Sequence, residues 1–288
     1  MADGIIIIDK PEGWTSMDVC AKLRRILQTK KVGHAGTLDP MATGVLPVFV
    51  GSATRAVSFA EGGSKVYEAV LRLGQATDTQ DVTGTVLEKH DVTVTAQDVA
   101  AILPRFTGEI LQLPPMYSAV KIGGKKLYEL ARQGREVERR PRPVTIHMLE
   151  LTEQLSPTDY ALRLRCSKGT YVRTLCHDIG TALGCGGCMA ALRRTEAAGF
   201  TLAQSHTLQE AEAQGAALLT PVDSLFSGAG AYRIAAPEQE RLCRNGNPFP
   251  VRDREDGTYR VYGADGTFLC LSRLENGMMT SLKNFFGA

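Results

Sequence analysis

Gly33-His34-Ala35-Gly36-Thr37-Leu38-Asp39-Pro40 lies between a helical pattern and a strand pattern, and its reading decides what the rest of the chain is for. Pro40 pushes the backbone of Asp39 out of the α region toward extended conformations. A carboxylate on an exposed loop is well placed for catalysis. The same dipeptide also reads as a helix N-cap with proline at the first helical position, opening a short helix through Met41–Thr43. Local physics alone puts this second reading first. Gly33-His34-Ala35-Gly36 further matches the GxxG loop of KH RNA-binding modules, with only two positions fixed.

Working outward, Gly4–Ile8 is β-branched, short and followed by a turn at Lys10-Pro11-Glu12-Gly13, which predicts a buried strand. Thr15 and Asp18 form a capping-box pattern before Val19, Leu23, Ile26 and Leu27, a helical spacing. Val45–Val50 reads as a strand. Val66–Leu73 alternates, with Tyr67, Ala69, Leu71 and Leu73 on one face. Thr95 and Asp98 open a helix that Pro104 stops, and Thr207 and Glu210 cap another. Tyr160–Cys166 is a further strand. Leu175, Ile179 and Leu183 repeat at helical spacing before Gly184, a C′ glycine. Beyond the small-residue linker Ser227-Gly228-Ala229-Gly230, Pro237–Arg244 reads as helix, with Tyr259–Tyr262 and Phe268–Ser272 as strands. Strands and helices mix without a βαβ rhythm, so the expected class is α+β.

The 288 residues are long enough for about two domains. The aliphatic run Ile5-Ile6-Ile7-Ile8 is too short to span a bilayer, and no secretory leader pattern opens the chain, so the expectation is a cytoplasmic protein without a membrane partner. Seven scattered cysteines, an odd number, argue for reduced thiols rather than a disulfide framework. Net charge is only +2, but Lys121–Pro143 carries eight Lys/Arg against three Glu, and Lys22, Arg24, Arg25, Lys30 and Lys31 form a second basic cluster. Local basic patches suit a phosphate backbone, although a solvated charged face is the plainer reading of either alone.

Other segments are weak singly. Cys185-Gly186-Gly187-Cys188 has no second ligand pair, so Cys185 and Cys188 read as reduced thiols behind a helix end. Asp78 and Asp81 lack the periodic oxygens of a calcium loop and read as a polar turn. The chain has no P-loop, GxGxxG, GxSxG or HExxH, which excludes the common nucleotide hydrolases, Rossmann oxidoreductases, serine hydrolases and zinc proteases.

Taken together and in order, several stretches resemble the bacterial tRNA pseudouridine-55 synthases of the TruB type. They are Asp9-Lys10-Pro11, residues 33–47, Lys65-Val66-Tyr67-Glu68-Ala69, residues 114–121, residues 127–134, residues 166–175 and Leu192-Arg193-Arg194. The resemblance implies isomerisation of one uridine in the tRNA T loop, with no cofactor or metal, and with help to tRNA folding. It implies Asp39 as nucleophile or base, Tyr67 stacking on the target base with a role open in proton transfer, and Arg173 pairing with Asp39. It also places His34, Tyr171, Leu192 and Lys10 among the substrate-binding positions. The expected partner is the T-arm stem-loop of tRNA, with no protein partner expected and a monomeric chain. The fold implied is a mixed-sheet catalytic domain, 1–226, with a mobile basic segment at about 121–143 that grips RNA. A small mostly-β, PUA-like RNA-binding domain, 231–288, follows. The competing reading is a non-catalytic RNA-binding or tRNA-folding protein. A glycosidic hydrolase, the third reading, needs a second carboxylate, for which Asp78 and Asp81 are the nearby candidates.

Overall fold

The computed structural model describes residues 2–286. They form two compact units, one within residues 2–40, 46–62 and 198–286, the other of residues 41–45 and 63–197.

In the first unit the strand Gly4–Lys10 lies beside the strand Thr43–Val50, whose far end pairs antiparallel with Val32–His34. Ile6, Ile8, Leu46, Val48 and Val50 supply one apolar face. The helix Ser16–Ile26 covers it with Val19, Cys20 and Leu23, and the helix Leu208–Gln214 adds Leu208 and Ala211. Each large apolar side chain so buried contributes roughly 1.5–3 kcal/mol. The capping boxes expected at Thr15 and Thr207 are formed, with each threonine hydroxyl accepting from the N3 amide and each N3 carboxylate accepting from the cap amide.

Two local expectations for the 33–40 stretch are corrected here. No helix starts at Asp39: residues 40–41 form a turn and Thr43 already begins a strand. A helix there requires the Pro40 carbonyl to accept from the Gly44 amide. That carbonyl instead accepts from the Gly13 amide at 2.8 Å and from the Lys10 ammonium at 3.2 Å, and Gly44 sits at φ +102°, outside helical space. Nor is Gly33–Gly36 a KH loop, because Gly33 and His34 are strand residues and the Ala35 amide donates to the Pro47 carbonyl.

The same unit contains a five-stranded sheet in the order 230–233, 257–262, 268–275, 278–284, 249–250. Its first pair is parallel and the others are antiparallel. The helix Pro237–Arg244 lies where the sequence predicts it. Tyr232, Ile234, Val261, Leu269, Leu274 and Met279 form the core.

The second unit is a mixed sheet. Gly187–Ala197 pairs in parallel with Thr43–Gly44 on one side and antiparallel with Lys65–Leu73 on the other. Asp159–Cys166, Arg142–Gln154 and Gly108–Gln112 continue the sheet antiparallel. The alternation predicted for 66–73 falls on the strand Lys65–Leu73, with Tyr67, Ala69, Leu71 and Leu73 buried. The helix Val172–Ala182 ends as expected, with Gly184 at φ +77° just past its C-cap.

The sequence reading did not anticipate the strand 187–197. Its residues, rich in Ala, Leu, Arg and Glu, favour helix on propensity. Pairing on both edges overrides that preference, and two register shifts break the alternation that would otherwise mark it. Cys188 lies on this strand and Cys185 just before it, both buried, and burial pushes both thiols up. A buried thiol held protonated is a poor nucleophile.

Gly44 is where this unit's backbone leaves least room. A Cβ there would lie 2.1 Å from the Arg194 carbonyl oxygen, at a φ of +102°. Gly44→Ala must therefore displace the pairing of 43–44 with 193–194. The expected loss is at least about 3 kcal/mol, read from urea denaturation. An unchanged midpoint would show that the two backbones can separate freely.

The first part of the basic stretch takes regular structure, while residues 135–141 belong to no strand or helix. Lys121–Ile122 and Lys125–Lys126 form a hairpin turned by Gly123 and Gly124, followed by the helix Leu127–Ala131. Leu127 and Leu130 are buried, while Lys121, Lys125, Arg132, Arg135, Arg140 and Arg142 are exposed. The Tyr128 ring carries the Lys126 ammonium at 5.3 Å and the Arg132 guanidinium at 5.4 Å from its centroid.

Candidate active site

Asp39 is half-buried in an irregular segment whose neighbours are both tied down. Leu38, on one side, is buried, and its amide donates to the Ser16 hydroxyl at 2.9 Å. Pro40, on the other, has its carbonyl held by Gly13 and Lys10. Lys10 is fully buried, and its ammonium donates to the carbonyls of Pro11 at 2.9 Å, Trp14 at 2.7 Å and Pro40 at 3.2 Å. An ammonium has three donors, so backbone carbonyls engage Lys10 as a strut beneath the loop. His34 ends the strand 32–34 opposite Val48 and is half-buried.

The second unit holds the other sequence-predicted residues. Tyr67 is 9% exposed on a central strand, opposite Leu164 on one neighbour and Arg194 on the other. Leu192 lies on the adjacent strand opposite Ala69 and is 8% exposed. Tyr171 is the N-cap of the helix 172–182, without a side-chain cap bond. Its backbone is clamped by the buried Gln112, which accepts from the Tyr171 amide at 2.7 Å and donates to its carbonyl at 3.0 Å.

Arg173, in the first turn of that helix, is 7% exposed. Its Nη2 donates to the Tyr117 carbonyl at 2.9 Å, and its guanidinium lies 6.0 Å from the Tyr171 ring centroid. Its Nη1 is 3.8 Å from Oδ2 of Asp81, a carboxylate whose side chain is 5% exposed. The sequence reading treated Asp81 as part of a polar turn and missed this pairing. The turn is in fact a cage. Oδ1 of Asp81 accepts from the Thr79 hydroxyl at 2.9 Å, the Thr83 amide at 3.0 Å and the Thr83 hydroxyl at 2.5 Å. Its backbone carbonyl accepts from the Thr77 hydroxyl at 2.7 Å. One carboxylate oxygen is thus taken by the turn and the other faces the arginine. Thr174, next to Arg173, donates to the Gln80 side chain at 2.6 Å, a second tie between the turn and the helix. Thr77-Asp78-Thr79-Gln80-Asp81-Val82-Thr83, with three hydroxyls around an acid, was the available signal.

Asp39 belongs to the first unit, and Tyr67 and Arg173 to the second. Among the described residues, no cluster of three or more His, Cys, Asp or Glu is arranged to hold a metal ion. No helix there is long and apolar enough to cross a membrane.

Residues 24–172 match the family model described as TruB family pseudouridylate synthase, N-terminal domain. Residues 173–227 match the tRNA pseudouridylate synthase B C-terminal domain. The tRNA pseudouridine synthase B of Azoarcus sp. (strain BH72) is 44% identical over 285 residues, covering 97% of this chain and 93% of that protein. The protein of the same name from Pseudomonas putida (strain F1) is 53% identical over 209 residues, covering 73% and 68%. Among solved structures, a Cbf5-Nop10-Gar1 complex is similar at a TM-score of 0.74 with 25% identity, covering 99% of this chain and 85% of that one. The chain belongs to the TruB family of pseudouridylate synthases.

Proposed function

We propose that this chain converts the T-loop uridine at position 55 of tRNA into pseudouridine. Asp39 supplies the nucleophile or base, Tyr67 the surface on which the flipped base stacks, and Arg173 the cation that offsets the carboxylate's charge. The observation that carries the reading is the family match across the Asp39 segment, in a loop whose backbone is anchored on both sides of Asp39. In the reaction the bond from C1′ to N1 breaks and a bond from C1′ to C5 forms. N1 gains a proton and the proton on C5 leaves to water, so atoms and electrons balance without a co-reactant.

The target base must leave its stack, which costs a few kcal/mol. Stacking on an aromatic ring returns roughly 1–3 kcal/mol of this. A guanidinium near a carboxylate favours the ionised form that attacks. His34, Tyr171 and Leu192 are assigned to contact the RNA around the target. Lys10 supports the loop from below. The exposed cations of residues 121–142 are assigned to the phosphate backbone, where they carry affinity rather than sequence choice. Residues 1–226 form the catalytic part in this reading, and 231–288 a PUA-like RNA-binding module. The chain acts as a cytoplasmic monomer on the T arm and also helps tRNA to fold.

Loss of the C5 proton gives a direct assay. Purified protein with tRNA labelled by [5-³H]uridine is expected to release the tritium of a single uridine, and none when position 55 carries cytidine. Release from both RNAs would move the target elsewhere. Binding of tRNA without release would leave only the non-catalytic, RNA-folding reading.

A further inference from the structure

We infer that Ser16 is a positioning residue for the Asp39 carboxylate, acting through both backbone polar groups of Leu38. The inference rests on the role proposed for Asp39. Ser16 opens the helix 16–26, yet it takes no part in capping it. Thr15 caps that helix, with its hydroxyl accepting from the Asp18 amide at 3.0 Å and the Asp18 carboxylate returning to the Thr15 amide at 2.9 Å. The hydroxyl of Ser16 is therefore available for another task, and it is buried, with the residue 1% exposed.

That hydroxyl accepts from the Leu38 amide at 2.9 Å and donates to the Leu38 carbonyl at 3.1 Å. A single small side chain thus satisfies both polar groups of a buried residue that belongs to no strand or helix. Residues outside ladders and helices usually find partners in water or neighbouring loops. Here the partner is fixed to the rigid first turn of a helix that packs on the sheet. The Leu38 carbonyl belongs to the peptide plane immediately before the Cα of Asp39. On the other side, the proline ring fixes φ of residue 40, and the Pro40 carbonyl is held by Gly13 and Lys10. The two planes that set φ and ψ of Asp39 are thereby bracketed. Removing the Ser16 hydroxyl frees only the first plane, and the carboxylate can then swing about the held Pro40 end. A misplacement of about 1 Å at a reacting group costs on the order of 10²-fold in rate.

The test compares Ser16→Ala with Thr15→Ala in single-turnover tritium release from labelled tRNA, alongside tRNA affinity and Tm. Thr15→Ala weakens the same helix without touching Leu38. The expected result is a rate about 10- to 100-fold lower for Ser16→Ala, with affinity changed less than about threefold. Thr15→Ala is expected to stay within about threefold of the parent even if its Tm falls as far. Equal rate losses in the two variants, or a Ser16→Ala rate within about threefold of the parent, would overturn the inference. If Ser16→Ala does not fold, Ser16→Cys, a weaker donor of similar size, is judged by the same criterion. Asp39→Asn in the same assay separates the two claims. An inactive Asp39→Asn beside a full-rate Ser16→Ala overturns the positioning role alone, and an active Asp39→Asn overturns the role of Asp39 and this inference with it.

Discussion

Asp39→Asn is expected to lower single-turnover tritium release from tRNA by a factor on the order of 10⁴ or more, while tRNA affinity changes by less than about threefold. Asparagine keeps the volume and shape of the side chain, so the loop ties at Leu38 and Pro40 survive. What it loses is the negative charge and the lone-pair basicity that attack at C1′, addition to the base and proton abstraction all require. In the proposed reading the RNA is held by the exposed cations of residues 121–142, and phosphate contacts carry a large share of such affinity. The change should therefore appear in the chemical step alone. A mutant that retains more than about a tenth of the parent rate would remove Asp39 from the chemistry.

The second large effect concerns Arg173 and Asp81. Both side chains are more than nine-tenths buried, with Nη1 and Oδ2 3.8 Å apart, so solvent screens the pair little. Deleting one partner of a buried pair costs about 3–5 kcal/mol, because the groups that faced the lost charge stay buried without it. Arg173→Ala and Asp81→Ala are each expected to lose stability in that range in urea denaturation. The double variant is expected to lose less than the sum of the two by at least about 1 kcal/mol. Additive losses would show that the two charges do not sense each other. Asp81→Ala is also expected to slow turnover by about 10²-fold, although Asp81 is assigned no contact with the uridine. Its hydrogen bonds to Thr79 and Thr83 fix one oxygen in the turn and aim the other at the guanidinium. Full activity in Asp81→Ala would confine the carboxylate to a role in stability.

Several features of this chain were legible from short-range chemistry. The Thr15–Asp18, Thr95–Asp98 and Thr207–Glu210 boxes all form, because hydroxyl, carboxylate and amide lie within one turn and need no other segment to meet. The alternation at 66–73, the glycine stop at 184 and proline opening the helix 237–244 are local in the same sense. The family match was legible too, since it rests on the order of segments rather than on their contacts. The tertiary structure decided the rest, in each case through partners distant in sequence. Pro40 gives its carbonyl to Gly13 and Lys10, so the helix that Asp39-Pro40 predicts cannot begin. Lys10, a lysine in a turn pattern, is buried because three carbonyls converge on it. Residues 187–197 become a central strand despite helix-favouring side chains, since two neighbouring strands satisfy their amides. Asp81 gains its importance from an arginine 92 positions away in the chain. Asp39 shows both sides of this division. The family resemblance of its surroundings is what proposes it as the reactive carboxylate, while the backbone on either side of it is held by Ser16, Gly13 and Lys10, because φ and ψ beside a proline are narrowed by local sterics and fixed only by hydrogen bonds to other segments.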